Sequence, residues 1–191
     1  MKVLICDPIS QLGIEHLQQQ DRLETIVLDR CHSEEELLPM VKDVSAMAVR
    51  SETKVTKAIL EAAPEMRIVG RAGVGVDNID IEAATQNGVI VMNTPGGNTT
   101  ATCELTFSMM MALARNIPQA HDSMVVGEWN RKAFKGVELY GKTLGVLGMG
   151  RIGGEVARRA VAFGMRVMAY DPYITPSRAK ALQVELASLE D

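Results

Sequence analysis

Aromatic residues are scarce, at 4% of 191 positions, with one Trp, three Tyr and three Phe. Any core must therefore be packed from aliphatic side chains and from the 12 methionines, which fill irregular gaps. Cysteine is also rare. Cys6, Cys31 and Cys103 are odd in number, far apart and without a CxxC, which excludes a disulfide framework or a structural zinc cluster and points to a reducing cytoplasm. No metal site is expected. The longest apolar run, near Met109–Ala114, is too short to cross a bilayer. The opening MKVLICDPIS breaks at Asp7 and Pro8 before a signal sequence can develop. Neither a membrane nor a nucleic acid is an expected partner, since the net charge is −4 and no general basic excess exists.

What is present suffices for a core: 47% of residues are hydrophobic, and the length fits one large or two small domains. Charge is unevenly spread. Residues 1–97 are acidic, whereas 131–166 hold eight basic residues against two acids. Such a local basic stretch suits a small anionic ligand.

Through residue 92 short apolar runs alternate with amphipathic segments. Strands are expected over 2–6, 23–28, 44–49, 66–69 and 89–92, with helices over 10–20, 56–63 and 79–86 and a short one opening at Ser33. Ser33 followed by Glu36 is a capping box. Continuous apolar strands between helices imply a parallel sheet covered on both faces, here a flavodoxin-like one. Asn93-Thr94-Pro95-Gly96-Gly97-Asn98 is the strongest loop signal, and the domains are placed at 1–94 and 95–191. A methionine-rich helix over 99–115 and an irregular arm through 140, holding Trp129, open the second domain. One βαβ unit follows, and the end is read as polar and irregular.

Gly148-Met149-Gly150-Arg151-Ile152-Gly153 is a GxGxxG that follows a strand, opens a helix, and leads to a second strand ending at Asp171. That context is what a dinucleotide fingerprint requires. Gly148 permits the tight turn, Gly150 lets backbone approach a pyrophosphate, and Gly153 lets helix pack on sheet, while the helix N-terminus attracts anions. Asp171 would accept from ribose hydroxyls and repel a 2′-phosphate, which favours NAD over NADP. A second anion-directed set is Arg50, after the third strand, with Arg71 and the Gly73-Val74-Gly75 loop after the fourth. Two readings stand side by side. The arginines and loop N–H groups hold an anionic ligand, or the arginines pair with nearby acids such as Glu52 and Asp77.

Val49-Arg50-Ser51, the stretch Gly70 to Asn78, Val91-Met92-Asn93-Thr94-Pro95, Trp129-Asn130-Arg131-Lys132 and the stretch Leu144 to Gly153 together resemble the D-2-hydroxyacid dehydrogenases, over nearly the whole chain. The resemblance implies an α/β chain: a flavodoxin-like substrate (lid) domain, then the first βαβ half of a Rossmann NAD-binding domain. It implies oxidation of the 2-hydroxyl of 3-phosphoglycerate by NAD, giving 3-phosphohydroxypyruvate on the route to serine. It places Arg50, Arg71 and the loop Gly73, Val74 and Gly75 on the substrate, with Val74 also near the cofactor. It puts Arg131 and Lys135 on an arm reaching the phosphate in a partner subunit's cleft. Gly148, Gly150, Arg151, Ile152 and Gly153 lie on the pyrophosphate, and Asp171 on the ribose. A homo-oligomer built through the helix and arm of about 99–140 is implied as well.

The family's catalytic Arg, Glu and His lie in later motifs that do not occur here. None of His16, His32 and His121 has the Pro-His-x-Gly setting of the catalytic His, so the base that alcohol oxidation needs is not among them. The chain is therefore read as the N-terminal part of a longer enzyme, inactive alone. The alternatives are a non-catalytic NAD-sensing or oligomer-regulating chain, or a dehydrogenase for another 2-hydroxy acid.

Overall fold

In the computed structural model, which describes residues 1–191, the alternating apolar runs of the first half become a five-stranded parallel sheet. The elements are β1 (Lys2–Ile5), α1 (Gln11–Gln18), β2 (Glu24–Val27), α2 (Glu34–Leu37), β3 (Ala46–Val49), α3 (Lys57–Glu61), β4 (Ile68–Arg71), α4 (Ile81–Gln86) and β5 (Ile90–Asn93). The strand order is β2-β1-β3-β4-β5, the flavodoxin-like arrangement. Val3 stands opposite Ala46, Ala46 opposite Ile68, and Ile68 opposite Ile90. Val3, Leu4 and Ile5 are all buried, as expected where helices cover both faces of a central strand. Met47, Val49 and Val69 join Ile59 and Leu60 in the core. The edge strands β2 and β5 are largely exposed.

Caps set the helix starts. The Ser33 side chain accepts from the Glu36 N–H, and the Glu36 carboxylate accepts from the Ser33 N–H, so the capping box is complete. The Thr56 and Asp80 side chains cap α3 and α4 by accepting from the Ile59 and Ala83 N–H groups, without a reciprocal bond.

Residues Met1–Gly97 form one unit and Asn98–Asp191 a second. The second contains α5 (Thr99–Ala114), α6 (Ile117–Val125), β6 (Thr143–Leu147), α7 (Arg151–Ala162), β7 (Arg166–Tyr170), α8 (Pro176–Ala181) and β8 (Glu185–Leu186). Its sheet is parallel with order β6-β7-β8. The core packs Cys103 and Phe107 of α5 against Val156, Ala157 and Ala160 of α7, over Val167 and Ala169 of β7. The Phe107 and Phe163 rings lie 5.2 Å apart.

Two expectations are corrected here. The arm is not irregular at its start. Residues 117–125 are helical, with Asn116 left-handed at φ 53° and Pro118 in the first turn, where a missing N–H costs nothing. The chain's end is also structured, so the unit is βαβαβ rather than βαβ. Its last strand is two exposed residues, Glu185 and Leu186, too short and too polar to leave a hydrophobic run in the sequence.

Candidate functional site

The glycine turn is built between β6 and α7. Gly148 has φ +92°, a conformation open to glycine at no steric cost, and its N–H donates to the Tyr170 carbonyl at 2.8 Å. A β-carbon on Gly153 would stand 2.0 Å from the Gly148 carbonyl oxygen, so α7 packs on the turn only because that atom is missing. A β-carbon on Gly150 would meet nothing within 4 Å, which leaves the backbone open to an approaching group. Gly150 is the N-cap of α7 with no side chain bonded to the end, and no acid lies in the first turn. The helix start therefore presents the positive end of its dipole to an anion. Arg151 and Ile152 are its first two residues.

Asp171 closes this turn. Its carboxylate accepts from the Tyr173 N–H at 2.7 Å and from the Met149 N–H at 2.6 Å. Those backbone donors, Tyr173 foremost, hold the carboxyl below its ordinary range, because hydrogen bonds to the charged form favour it. The sequence pattern gives Asp171 a ligand role alone. The structure adds a second role, since the same carboxylate fixes the turn it faces.

The second anion-directed loop lies at the carboxyl ends of β3 and β4, where ligands of open parallel sheets bind. The buried Asp7 carboxylate accepts from the Arg50 N–H at 2.5 Å, the Thr53 N–H at 3.2 Å and the Thr53 hydroxyl at 2.6 Å. It thereby shapes the 50–53 loop. Arg50 is exposed and donates to the Pro8 carbonyl at 3.2 Å rather than to Glu52. The Asn78 amide donates to the carbonyls of Arg50 and Thr53 at 2.8 and 2.6 Å, tying the two loops together. Asn93 donates to the Val74 carbonyl at 2.6 Å, and the Thr94 N–H to the Gly73 carbonyl at 2.9 Å. Asp7 and Asn78 were missed in the sequence. An acid just past β1 and an amide just past a glycine loop were the available signals.

Arg71 pairs with Asp77 at 2.7 Å, one of the two acids named as candidate partners. Its guanidinium lies along the glycine loop. A β-carbon on Gly73 would stand 3.4 Å from Arg71 Nε, and one on Gly75 2.9 Å from Nη1 and 2.7 Å from the Asp77 carboxylate. The space that glycine leaves is occupied here by the chain's own ion pair.

In the arm, the structure does not gather Arg131 and Lys135 into one pocket. Arg131 lines a small apolar cavity with Ala120, Met124, Trp129 and Phe134, and Lys135 borders a shallow depression with Leu113, Val137 and Leu139. Trp129 is 73% exposed, so it is not buried within its own unit. The histidines stand in neither loop: His16 is in α1 and His121 in α6, while His32 Nδ1 lies 2.8 Å from the Arg30 carbonyl.

A parallel sheet of order 2-1-3-4-5 followed by a nucleotide-type βαβαβ unit with a GxGxxG turn defines a class. The family model described as D-isomer specific 2-hydroxyacid dehydrogenase, catalytic domain, matches residues 3–175, and the chain belongs to that family. Over 97% of its length it is 50% identical to the D-3-phosphoglycerate dehydrogenase of Methanocaldococcus jannaschii, of which it covers 35%. The TT0316 protein of Thermus thermophilus superposes with a TM-score of 0.86 at 33% identity, over 100% of this chain and 60% of that one. The NAD+-bound 3-phosphoglycerate dehydrogenase of Entamoeba histolytica does so with a TM-score of 0.73 at 33% identity, over 92% and 55%. The chain thus spans about a third of the length of the curated relatives it matches, 35% for the one above.

Proposed function

We propose that this chain carries the substrate-anion loop and the adenosine half of the NAD site of an enzyme oxidising 3-phosphoglycerate to 3-phosphohydroxypyruvate, in serine biosynthesis. The observation that carries the reading is the Gly148–Gly153 turn, open at Gly150, at the uncapped start of α7 and beside Asp171. The 50% identity to an enzyme named for that substrate supports the choice of acid.

The residues fit a dinucleotide. Gly148, Gly150 and Gly153 with the N–H groups of Arg151 and Ile152 would hold the pyrophosphate. Asp171 would hold the ribose hydroxyls and disfavour a 2′-phosphate by charge. When bound, NAD supplies the hydride acceptor. Arg50 and Arg71 would contact the substrate's anionic groups and the Gly73–Val74–Gly75 loop its carboxylate, while Arg131 and Lys135 of the arm would reach the phosphate in a partner subunit's cleft. The Val74 side chain can offer the cofactor only apolar contact. The family's Arg, Glu and His motifs are absent from this sequence, so the chain alone binds and does not turn over.

Calorimetry with NAD, NADP and ADP-ribose tests this. The expected result is weak binding of NAD and ADP-ribose and weaker binding of NADP, with Asp171→Ala narrowing the NAD–NADP difference. Equal binding of NAD and NADP by the unaltered chain would sink the Asp171 assignment. NADH formation from 3-phosphoglycerate by the purified 191-residue chain would overturn the inactive-alone reading.

A self-association surface belongs to the same proposal. Leu105, Met109 and Leu113 form an exposed row on α5, and Ile117, Met124 and Trp129 continue as exposed apolar residues. An apolar patch of this extent marks an interaction surface, and a second copy is its proposed occupant.

A further inference from the structure

Arg71 and Asp77 are an unequal pair. The Arg71 side chain is 10% exposed and the Asp77 side chain 83%. Arg71 is laid against Gly73 and Gly75, which have no β-carbon to displace it. Its Nε is buried with no hydrogen-bond partner, although a guanidinium that recognises a carboxylate does so best through two parallel N–H donors. The Asp77 carboxylate accepts from Nη1, at 2.7 Å, and otherwise from its own backbone N–H. Its contrast with Asp7 is informative. Asp7 is buried and accepts from three donors that shape a loop, whereas the Asp77 carboxylate stays in solvent and Arg71 is the one other residue that it bonds. A nearly buried guanidinium needs a charge partner, and a ligand anion would fill that need as well as the solvent-exposed Asp77 does.

We propose that Asp77 is an internal stand-in for the substrate's anionic group, resting on Arg71 until a carboxylate or phosphate displaces it. This rests on the reading of Arg71 as a substrate contact. Three consequences follow from the geometry. An incoming anion meets an arginine already held in place by packing, with only the exposed partner to move. That anion must outcompete an attached carboxylate, which discriminates against weakly held monoanions. The displaced Asp77 charge then remains near the loop and opposes the ligand, so Asp77 limits affinity rather than creating it.

The test is a titration of the isotope-labelled chain with 3-phosphoglycerate, followed by NMR through the Gly73 and Gly75 amides and the Arg71 Nε–H. Asp77→Asn and Asp77→Ser are each expected to bind about two- to fivefold more tightly than the unaltered chain, the span of a weak ion pair. Two substitutions are used so that a gain peculiar to the asparagine amide is recognised, and melting curves confirm that each folds. Unchanged or weaker binding in both, with loss of binding in Arg71→Ala, overturns the stand-in and leaves the substrate reading of Arg71 intact. Binding that persists in Arg71→Ala overturns that underlying reading. Absence of binding in every protein overturns both.

Discussion

At single positions, the missing β-carbons and one carboxylate decide the nucleotide turn. Gly153 has the stricter requirement, since its added carbon would press on backbone rather than on a movable side chain. Gly153→Ala is expected to destabilise the second unit by about 1–3 kcal/mol, the ordinary range for overpacking, and to abolish binding of ADP-ribose. Denaturant unfolding and calorimetry check the two effects separately. Asp171 makes a pH prediction. Its folded carboxyl is held below the ordinary value by the Tyr173 and Met149 N–H groups. Its contribution to the turn is thus full above the unfolded pKa, about 3.9, and is lost as pH falls through the lower folded value. The Tyr173 and Met149 amide shifts should titrate together, below the pH at which an unperturbed aspartate would. A joint midpoint at or above the ordinary value would contradict the two bonds. The glycine spacing made this turn legible in the sequence. The pinning of Asp171 to Met149, 22 positions earlier, was not, because it depends on β6 and β7 lying side by side.

Among the elements, α2 shows how much a short helix relies on its ends. Four residues are too few for intrinsic helix stability, yet Glu34–Leu37 is helical with Leu37 buried. The capping box closes it, and Arg30 pairs with Glu36 at 2.5 Å. Arg30 first, then the Ser33 N–H, pushes the Glu36 carboxyl down to about 2. Ser33→Ala is expected to cost about 0.5–2 kcal/mol, read as a lower denaturant midpoint with an unchanged slope. No measurable shift would mean that Leu37 packing alone holds the element. Ser33 and Glu36 were readable because a capping box is a local pattern. Helix α6 was not, because Asn116, Pro118 and Gly127 around it all read as turn signals when taken one by one. The two-residue β8 was not either, since it is recruited by pairing with β7 rather than by its own propensity.

For the molecule as a whole, the row Leu105, Met109 and Leu113 is the feature with the largest consequence. Leu113 is 79% exposed on a helix whose other side carries Cys103 and Phe107 into the core. Light scattering on the purified chain is expected to give a mass above the single-chain 20.8 kDa. The double substitution Met109→Glu, Leu113→Glu should return that mass to one chain without lowering the melting temperature of the first unit. A single-chain mass for the unaltered protein would remove the self-association proposal.

The sequence by itself determined the alternation of strand and helix, the parallel sheet in the first unit, the glycine turn with Asp171 one strand later, and membership of the dehydrogenase family. Each depends on residues close together, where steric freedom, capping and hydrophobic period act over a few positions. Tertiary structure alone decided that Arg71 rests on Asp77 instead of standing free. It decided too that Asp7 and Asn78 shape the 50–53 loop, and that Arg131 and Lys135 face different depressions. Those outcomes depend on which strands become neighbours and on what the sheet brings within about 3 Å, the reach of a hydrogen bond.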